Sequence, residues 1–135
     1  MIERKWLPTL GELLDRISIV TLKATFDIEN KEKWEAEIAD LVHDAQLILG
    51  EKQPQLTADF LRAVVVLATF NTLIWENEKH QRSDNPDGNN LIFTHQANGT
   101  RSRSRDIISK KVKNRTDQKV DAGLASNLPP FEPKW

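Results

Sequence analysis

The stretch Thr9–Phe26, TLGELLDRISIVTLKATF, decides the fold. Thr9 followed by Glu12 is a capping box, in which the hydroxyl takes an amide three residues on and the glutamate reaches back. A helix therefore starts near Leu10. Leu10, Leu13, Leu14, Ile17, Val20 and Ala24 fall on one stripe at helical spacing, and Ile19, Leu22 and Phe26 form a second. Two apolar sides require an interior helix with partners on both. Asp15 lies four residues before Ile19 and Lys23 four after it, so both charged groups run along the second stripe.

Outward from this helix the pattern repeats. A second helix is expected from about Lys31 to Leu49, with Asn30 as N-cap, Gly50 as its stop, and Trp34, Ile38, Leu41, Val42, Ala45, Ile48 and Leu49 inward. Glu35, Glu37, Asp40 and Asp44 make its acidic outer face. Asp40 and His43 have the i, i+3 spacing of a carboxylate and histidine ligand pair, but a di-metal bundle needs further carboxylates from other helices, so no metal is assigned. After Pro54 and Thr57, a third helix runs from about Ala58 to Arg82. It is apolar on every side between Phe60 and Trp75, which marks it as the central helix. That apolar run contains Arg62 and Asn71 and falls short of the roughly 20 residues a bilayer demands, so no membrane is expected. One stripe along it reads Phe60, Val64, Leu67, Asn71, Trp75, Glu78, Arg82 and turns polar halfway.

Ser83–Asn90 is a loop by its turn residues. A fourth helix is expected from near Leu91 to about Lys113, with Asn98-Gly99 as a possible break and an inward stripe of Leu91, His95, Asn98, Ser102, Arg105, Ile108 and Val112. Beyond Asp117 helical periodicity is lost, and Pro129-Pro130 with Pro133 exclude a long final helix. The fold class is thus all-α: a single-domain four-helix bundle-like fold over residues 1–116, with an extended C-terminal tail over 117–135. Leu124, Leu128, Phe131 and Trp135 equip that tail to pack on the bundle or on a neighbouring subunit.

Composition narrows function by exclusion. The 135 residues carry 19 Lys+Arg against 20 Asp+Glu, for a formal charge of -1, and no Cys. Lack of cysteine removes disulfide scaffolds, cysteine nucleophiles and the usual zinc sites. A near-zero net charge offers no global field for a polyanion, which disfavours nucleic acid. The start Met1–Trp6 has mixed charge and no apolar signal core, so the cytoplasm is expected.

The informative feature is a set of polar groups on faces that should be buried: Asp15 and Lys23; Asn71, Trp75, Glu78 and Arg82; His95, Asn98, Arg101 and Arg105. An unpaired buried charge costs several kcal/mol, so these groups pair with one another or with a ligand. Taken singly each has an ordinary explanation. Glu78 and Arg82 are an i, i+4 pair worth about 0.2 to 0.5 kcal/mol, Trp75 suits a core, and His95 suits a structural role. Taken together, the cations suit phosphate or carboxylate, the indole suits a base, and the amides and acids suit hydroxyls or ring edges. Segment Arg101–Arg115 has seven basic residues and one acid, while Phe26–Asp44 is acidic, so complementarity between the second and fourth helices, within or between subunits, is expected. A homo-oligomer follows naturally.

The segments Leu10–Lys23 (LGELLDRISIVTLK), Asn71–Glu78 with Arg82, and Thr94–Arg101 (THQANGTR) together resemble uncharacterised small all-helical proteins of tailed phages and bacteria. In those families a GELLDRISI..LK helix precedes a W..E...R helix and a basic final helix. The resemblance spans about residues 9 to 115. It implies a helical bundle, draws attention to Asp15, Lys23, Trp75, Glu78, Arg82 and Arg101, and carries no activity; a phage-encoded chain would work in the host cytoplasm.

Three functions compete. One is capture of a small anionic, nucleotide-like ligand between helices by a phage accessory, anti-defence protein, with no cofactor; Lys23, Arg82, Arg101 and Arg105 hold the anion and Trp75 the base. It predicts that Arg82→Ala and Arg101→Ala abolish binding without loss of stability. A second is a metal-dependent nucleotide pyrophosphohydrolase-like enzyme, which needs converging carboxylates for Mg²⁺. Glu35, Glu37, Asp40, Glu76 and Glu78 are its poor substitutes. A third is a protein–protein interaction module.

Overall fold

A computed structural model describes residues 5–81 and 88–116, with the side chains of 80–81 and 88–92 not described. Four helices make up the described fold: α1 (Leu10–Phe26), α2 (Lys31–Lys52), α3 (Ala58–Gln81) and α4 (Gly88–Lys111), with a single 3₁₀ turn at Ile28–Asn30. The all-α, bundle-like architecture expected from periodicity is what the chain adopts. Arg16–Glu37 with Asp27–Trp34 set α1 antiparallel to α2, Gly11–Ser109 with Asp15–Arg101 set it antiparallel to α4, and Asp59–Lys111 with Asn77–Thr94 set α3 antiparallel to α4.

The interior helix is α1, which touches α2, α3 and α4. Leu10, Leu13, Ala45, Phe60, Ala63, Leu67, Ile108 and Val112 form the core, drawn from all four helices. The expectation that α3 occupies the centre is corrected: Leu61, Val65 and Leu73 on its outer face are 49%, 55% and 39% exposed. Its inner face is Phe60, Ala63, Val66, Leu67, Asn71, Ile74 and Asn77, so the stripe through Val64, Trp75 and Glu78 sits to one side of the packed one. Among the described residues, Ala58–Lys79 is also the one stretch long and apolar enough to cross a membrane, at 22 residues and mean hydropathy 1.4. Counting only Phe60–Trp75 understated its length.

The start of α1 is held entirely by side chains. The Glu12 amide donates to Thr9 Oγ1 (3.2 Å), completing the expected cap, while the Gly11 amide donates to Ser109 Oγ (3.0 Å) and the Leu10 amide to Asn114 Oδ1 (2.9 Å). Three of the four donors that a helix start leaves unpaired are thereby satisfied, two by the end of α4. The Glu12 carboxylate accepts from the Thr9 hydroxyl and from Arg115.

That end is itself a well-formed stop. Lys113 adopts a left-handed φ of 57°, its amide donates to Lys110 O, and the Asn114 amide donates to Ser109 O. This is the six-to-one and five-to-two pairing of a Schellman motif, here with lysine where glycine is commonest. It aims Asn114 back at Leu10.

Two expected breaks are absent. Gly50 lies inside α2, which ends instead at Gln53, left-handed at φ 43°. The next residue, Pro54, disfavours helical backbone at Gln53, and that decides the end. Helix α4 starts at Gly88 and runs unbroken through Asn98-Gly99. Its fully buried line is Ala97, Thr100, Ser104 and Ile108, not His95, Asn98, Ser102 and Arg105, which are half-buried beside it. Thr100 and Ser104 donate to the carbonyls one turn back, so small hydroxyls enter the core without unpaired groups. Burial of that line offsets the roughly 1 kcal/mol that glycine costs a helix. Arg82 and the expected 117–135 tail lie outside the described residues, as does the Leu91 side chain.

Candidate functional site

Five of the ten candidate polar residues meet at one place. Asp15, on the face of α1 toward α4, is buried, with its side chain 7% exposed. Arg101 grips it with both ends of the guanidinium: Nε donates to Oδ1 at 2.8 Å and an Nη to Oδ2 at 2.7 Å. Asn71 from α3 donates to the same Oδ1 at 2.9 Å, and Asn98 accepts from Arg101 at 3.4 Å. Arg105, one turn along α4, comes within 3.5 Å of Oδ2 and donates to Ser102 Oγ at 3.1 Å. Three helices are pinned by one carboxylate.

Gly11 makes this approach possible. A Cβ there would lie 2.2 Å from the Arg105 carbonyl oxygen and 2.5 Å from Ser109 Oγ. With Gly11 and Asp15 four apart on one face, α1 comes close enough to α4 for the short aspartate to reach Arg101.

The charges in the cluster do not cancel. Arg101 and Arg105 bring two positive charges to the single Asp15 carboxylate, and Arg101 already occupies both oxygens. Among the described residues the buried Nε of Arg105 has no hydrogen-bond partner, as is true of Trp75 Nε1 and Arg115 Nε, although the Arg105 side chain as a whole is 26% exposed. Along the neighbouring stripe of α1, Glu12 binds Arg115 and Arg16 binds Glu37 of α2 at 2.7 Å.

The other candidates go elsewhere. Lys23 lies over the Trp34 ring at 4.7 Å, which Lys33 also covers at 4.8 Å. Trp75 stacks on Phe26, with centroids 6.1 Å apart and planes inclined by 22°, and Lys79 sits 4.5 Å over the Phe26 ring. Its face is therefore occupied by the chain itself. Glu78 is exposed and His95 half-buried, one turn from Asn98, and neither joins the Asp15 cluster. Arg82, and with it the Glu78–Arg82 pair, lies outside the described residues.

Among the described residues of one chain, the acidic and basic helices do not pair with each other either. Basic residues of the segment turn to α1 and α3: Arg101 and Arg105 to Asp15, Lys111 to Asp59 and Arg115 to Glu12, with the Arg115 guanidinium 3.6 Å over the Trp6 ring. The reason is topological, since α2 approaches α1 and not α4. Lys111 also holds the Asp59 carboxyl below the ordinary carboxylate range by hydrogen bonding and charge. At the α1–α2 corner, hydrogen bonds from Trp34 Nε1 and Asn30 do the same for Asp27. Among the described residues no group of three or more histidine or acidic side chains converges as a metal site would require.

Sequence reasoning missed Gly11, Ser109 and Asn114. Gly11, a glycine in the first turn of α1 and four residues before a charged inward residue, carried the available signal. No family model, curated protein or solved structure matches the chain.

Proposed function

We propose that the chain captures a small anionic ligand, phosphate- or carboxylate-bearing and of nucleotide size, at the Arg101–Arg105 corner of α4. The carrying observation is the second cation at one carboxylate: Arg101 grips both oxygens of Asp15, while Arg105 approaches it only to 3.5 Å and keeps a side chain 26% exposed. A planar fork in that condition favours a bidentate oxyanion. Ser102 and Asn98, beside the two arginines, supply a hydroxyl and an amide at the same rim. In this reading Asp15, Asn71 and Arg101 are the frame and Arg105 is the reader. Lys23, Trp75 and Glu78 have no part in it, and no base is stacked. Sequestration of this kind needs neither cofactor nor catalytic base, and it suits an accessory protein of the phage and bacterial type that Leu10–Lys23 resembles.

The frame changes which variant tests the idea. Arg101→Ala removes the partner of a buried carboxylate and so confounds binding with folding. Arg105→Gln is the appropriate substitution. Thermal shift and calorimetric titration with inorganic phosphate, pyrophosphate and nucleoside monophosphates, at constant ionic strength, should stabilise the parent by mass action. The stabilisation should vanish in Arg105→Gln while its unliganded melting temperature stays within a few degrees of the parent. Absence of a shift with every one of these anions, or an equal shift in the variant, refutes the proposal.

A further inference from the structure

The outer face of α3 lies opposite the one that packs on α1 and α4. On it Leu61, Val65 and Leu73 are 49%, 55% and 39% exposed, with Ala68, Thr69 and Thr72 exposed between them. From Ala63 to Trp75 the helix has no charged residue. Contiguous apolar surface of this kind marks a contact. Asn114 and Arg115, near the end of the described chain, do not supply it, because they are held at the start of α1 by Leu10 and Glu12.

The order of residues along the face points to its partner. Arg62, Thr69 and Glu76 follow one another at seven-residue intervals, close to two helical turns, so they lie on one line, and all three are exposed. Val65 and Leu73 flank Thr69 at four residues on either side. Turning the helix end for end about Thr69 therefore sets Arg62 opposite Glu76 and Val65 opposite Leu73, which makes the face complementary to itself. We infer that two copies of the chain associate here, α3 against α3 and antiparallel, about a two-fold axis at Thr69. Such an axis uses the same patch twice. A parallel pairing would bring Arg62 to Arg62 and Glu76 to Glu76, so charge selects the antiparallel one. At the crossing, Ala68, Thr69 and Thr72 are small enough for the two backbones to approach closely. Glu76 is open to a second cation, since Lys79 stands 3.6 Å away and the Glu76 side chain is 57% exposed. The charged ends enclose about 21 Å of helix, at 1.5 Å per residue. A contact of that length between single helices is smaller than a standard interface, so the dimer is weak and dissociates on dilution. This inference is independent of the anion site.

Sedimentation velocity of the full-length protein, from micromolar to near-millimolar concentration, should show a monomer–dimer equilibrium. Val65→Asp should stay monomeric throughout while keeping the helical circular dichroism of the parent, because the side chain it replaces is exposed. Arg62→Glu should weaken the dimer about tenfold, through two lost attractions and two new repulsions. Combining Arg62→Glu with Glu76→Arg should restore the parental association. Within one chain these two positions are about 21 Å apart along the helix, so the rescue acts between copies, and only in the antiparallel sense. A monomer at every concentration overturns the inference, as does a dimer indifferent to Val65→Asp or a charge swap that fails to restore it.

Discussion

Replacing Asp15 with asparagine tests the central claim about the buried cluster, because it preserves shape while removing one charge. Oδ1 accepts from Arg101 Nε and Asn71, and Oδ2 accepts from the other arm of Arg101. Whichever way the new amide turns, its NH₂ faces a guanidinium donor. One charge-assisted bond is lost, worth about 1.5 to 3 kcal/mol, and Arg101 is left without its counter-ion. Removing one member of a buried pair typically costs about 3 to 5 kcal/mol. Since the Arg101 side chain is 22% exposed, water recovers part of that, and a loss of about 2 to 4 kcal/mol is expected. For a chain of this size that corresponds to a fall in Tm of roughly 10 °C. Urea unfolding followed by circular dichroism reads the loss directly, and the cycle Asp15→Asn, Arg101→Met and the double variant isolates the pair. Coupling should exceed about 1.5 kcal/mol. A single-variant loss under about 1 kcal/mol would mean that the carboxylate is not the pin between helices, and the argument for Arg105 as the surplus cation would fall with it.

Two further outcomes follow from the helix junctions. Gly11→Ala should destabilise by about 3 kcal/mol or more, because its Cβ meets the Arg105 backbone as well as Ser109 Oγ; a urea midpoint within error of the parent would show that α1 and α4 are not in such close contact. Asp27 is held below the ordinary carboxylate value of 3.8 by the hydrogen bonds from Trp34 and Asn30, so its contribution is fully present above 3.8 and is lost as pH falls through the depressed folded value. The stability difference between parent and Asp27→Asn should therefore be constant near neutrality and shrink only below 3.8. A difference that fades already between neutrality and mildly acidic pH would assign it to another group.

How far the fold could be read in advance depended on which residues carried the pattern. Of the α1 stripe, Leu10, Leu13, Val20 and Ala24 are buried and Leu14 and Ile17 half-buried, whereas the second stripe is half-buried at Ile19 and Leu22 and exposed at Phe26; the Thr9–Glu12 cap forms because both partners are local. The α4 register was misread for a definite reason. Periodicity weighs apolar residues, whereas the α4 line at Ala97, Thr100 and Ser104 is small and hydroxylated, and it becomes core-like only when each hydroxyl turns back to its own helix. Helix α3 was misplaced for the opposite reason. Hydrophobic residues all round a helix imply burial all round, yet Leu61, Val65 and Leu73 of α3 stay exposed among the described residues.

The site was legible as an inventory but not as a map. Buried polar residues must be paired, so Asp15, Asn71 and Arg101 could be expected to find partners; their partners turned out to be one another, because Gly11 sets the spacing of α1 and α4. The aromatic and lysine candidates belonged to a different surface, where Lys23 lies on Trp34 and Trp75 on Phe26. This division bears on how an anion could act. A ligand at Arg105 would share the field of Asp15 with Arg101, so binding should tighten the α1–α4 contact rather than open it. Hydrogen exchange at the start of α1, whose Leu10 and Gly11 amides are held by Asn114 and Ser109 of the same junction, should slow when the anion binds and remain unchanged in Arg105→Gln. Faster exchange there on binding would mean that the anion competes with Asp15 for Arg101, and the frame and the reader would have to exchange roles.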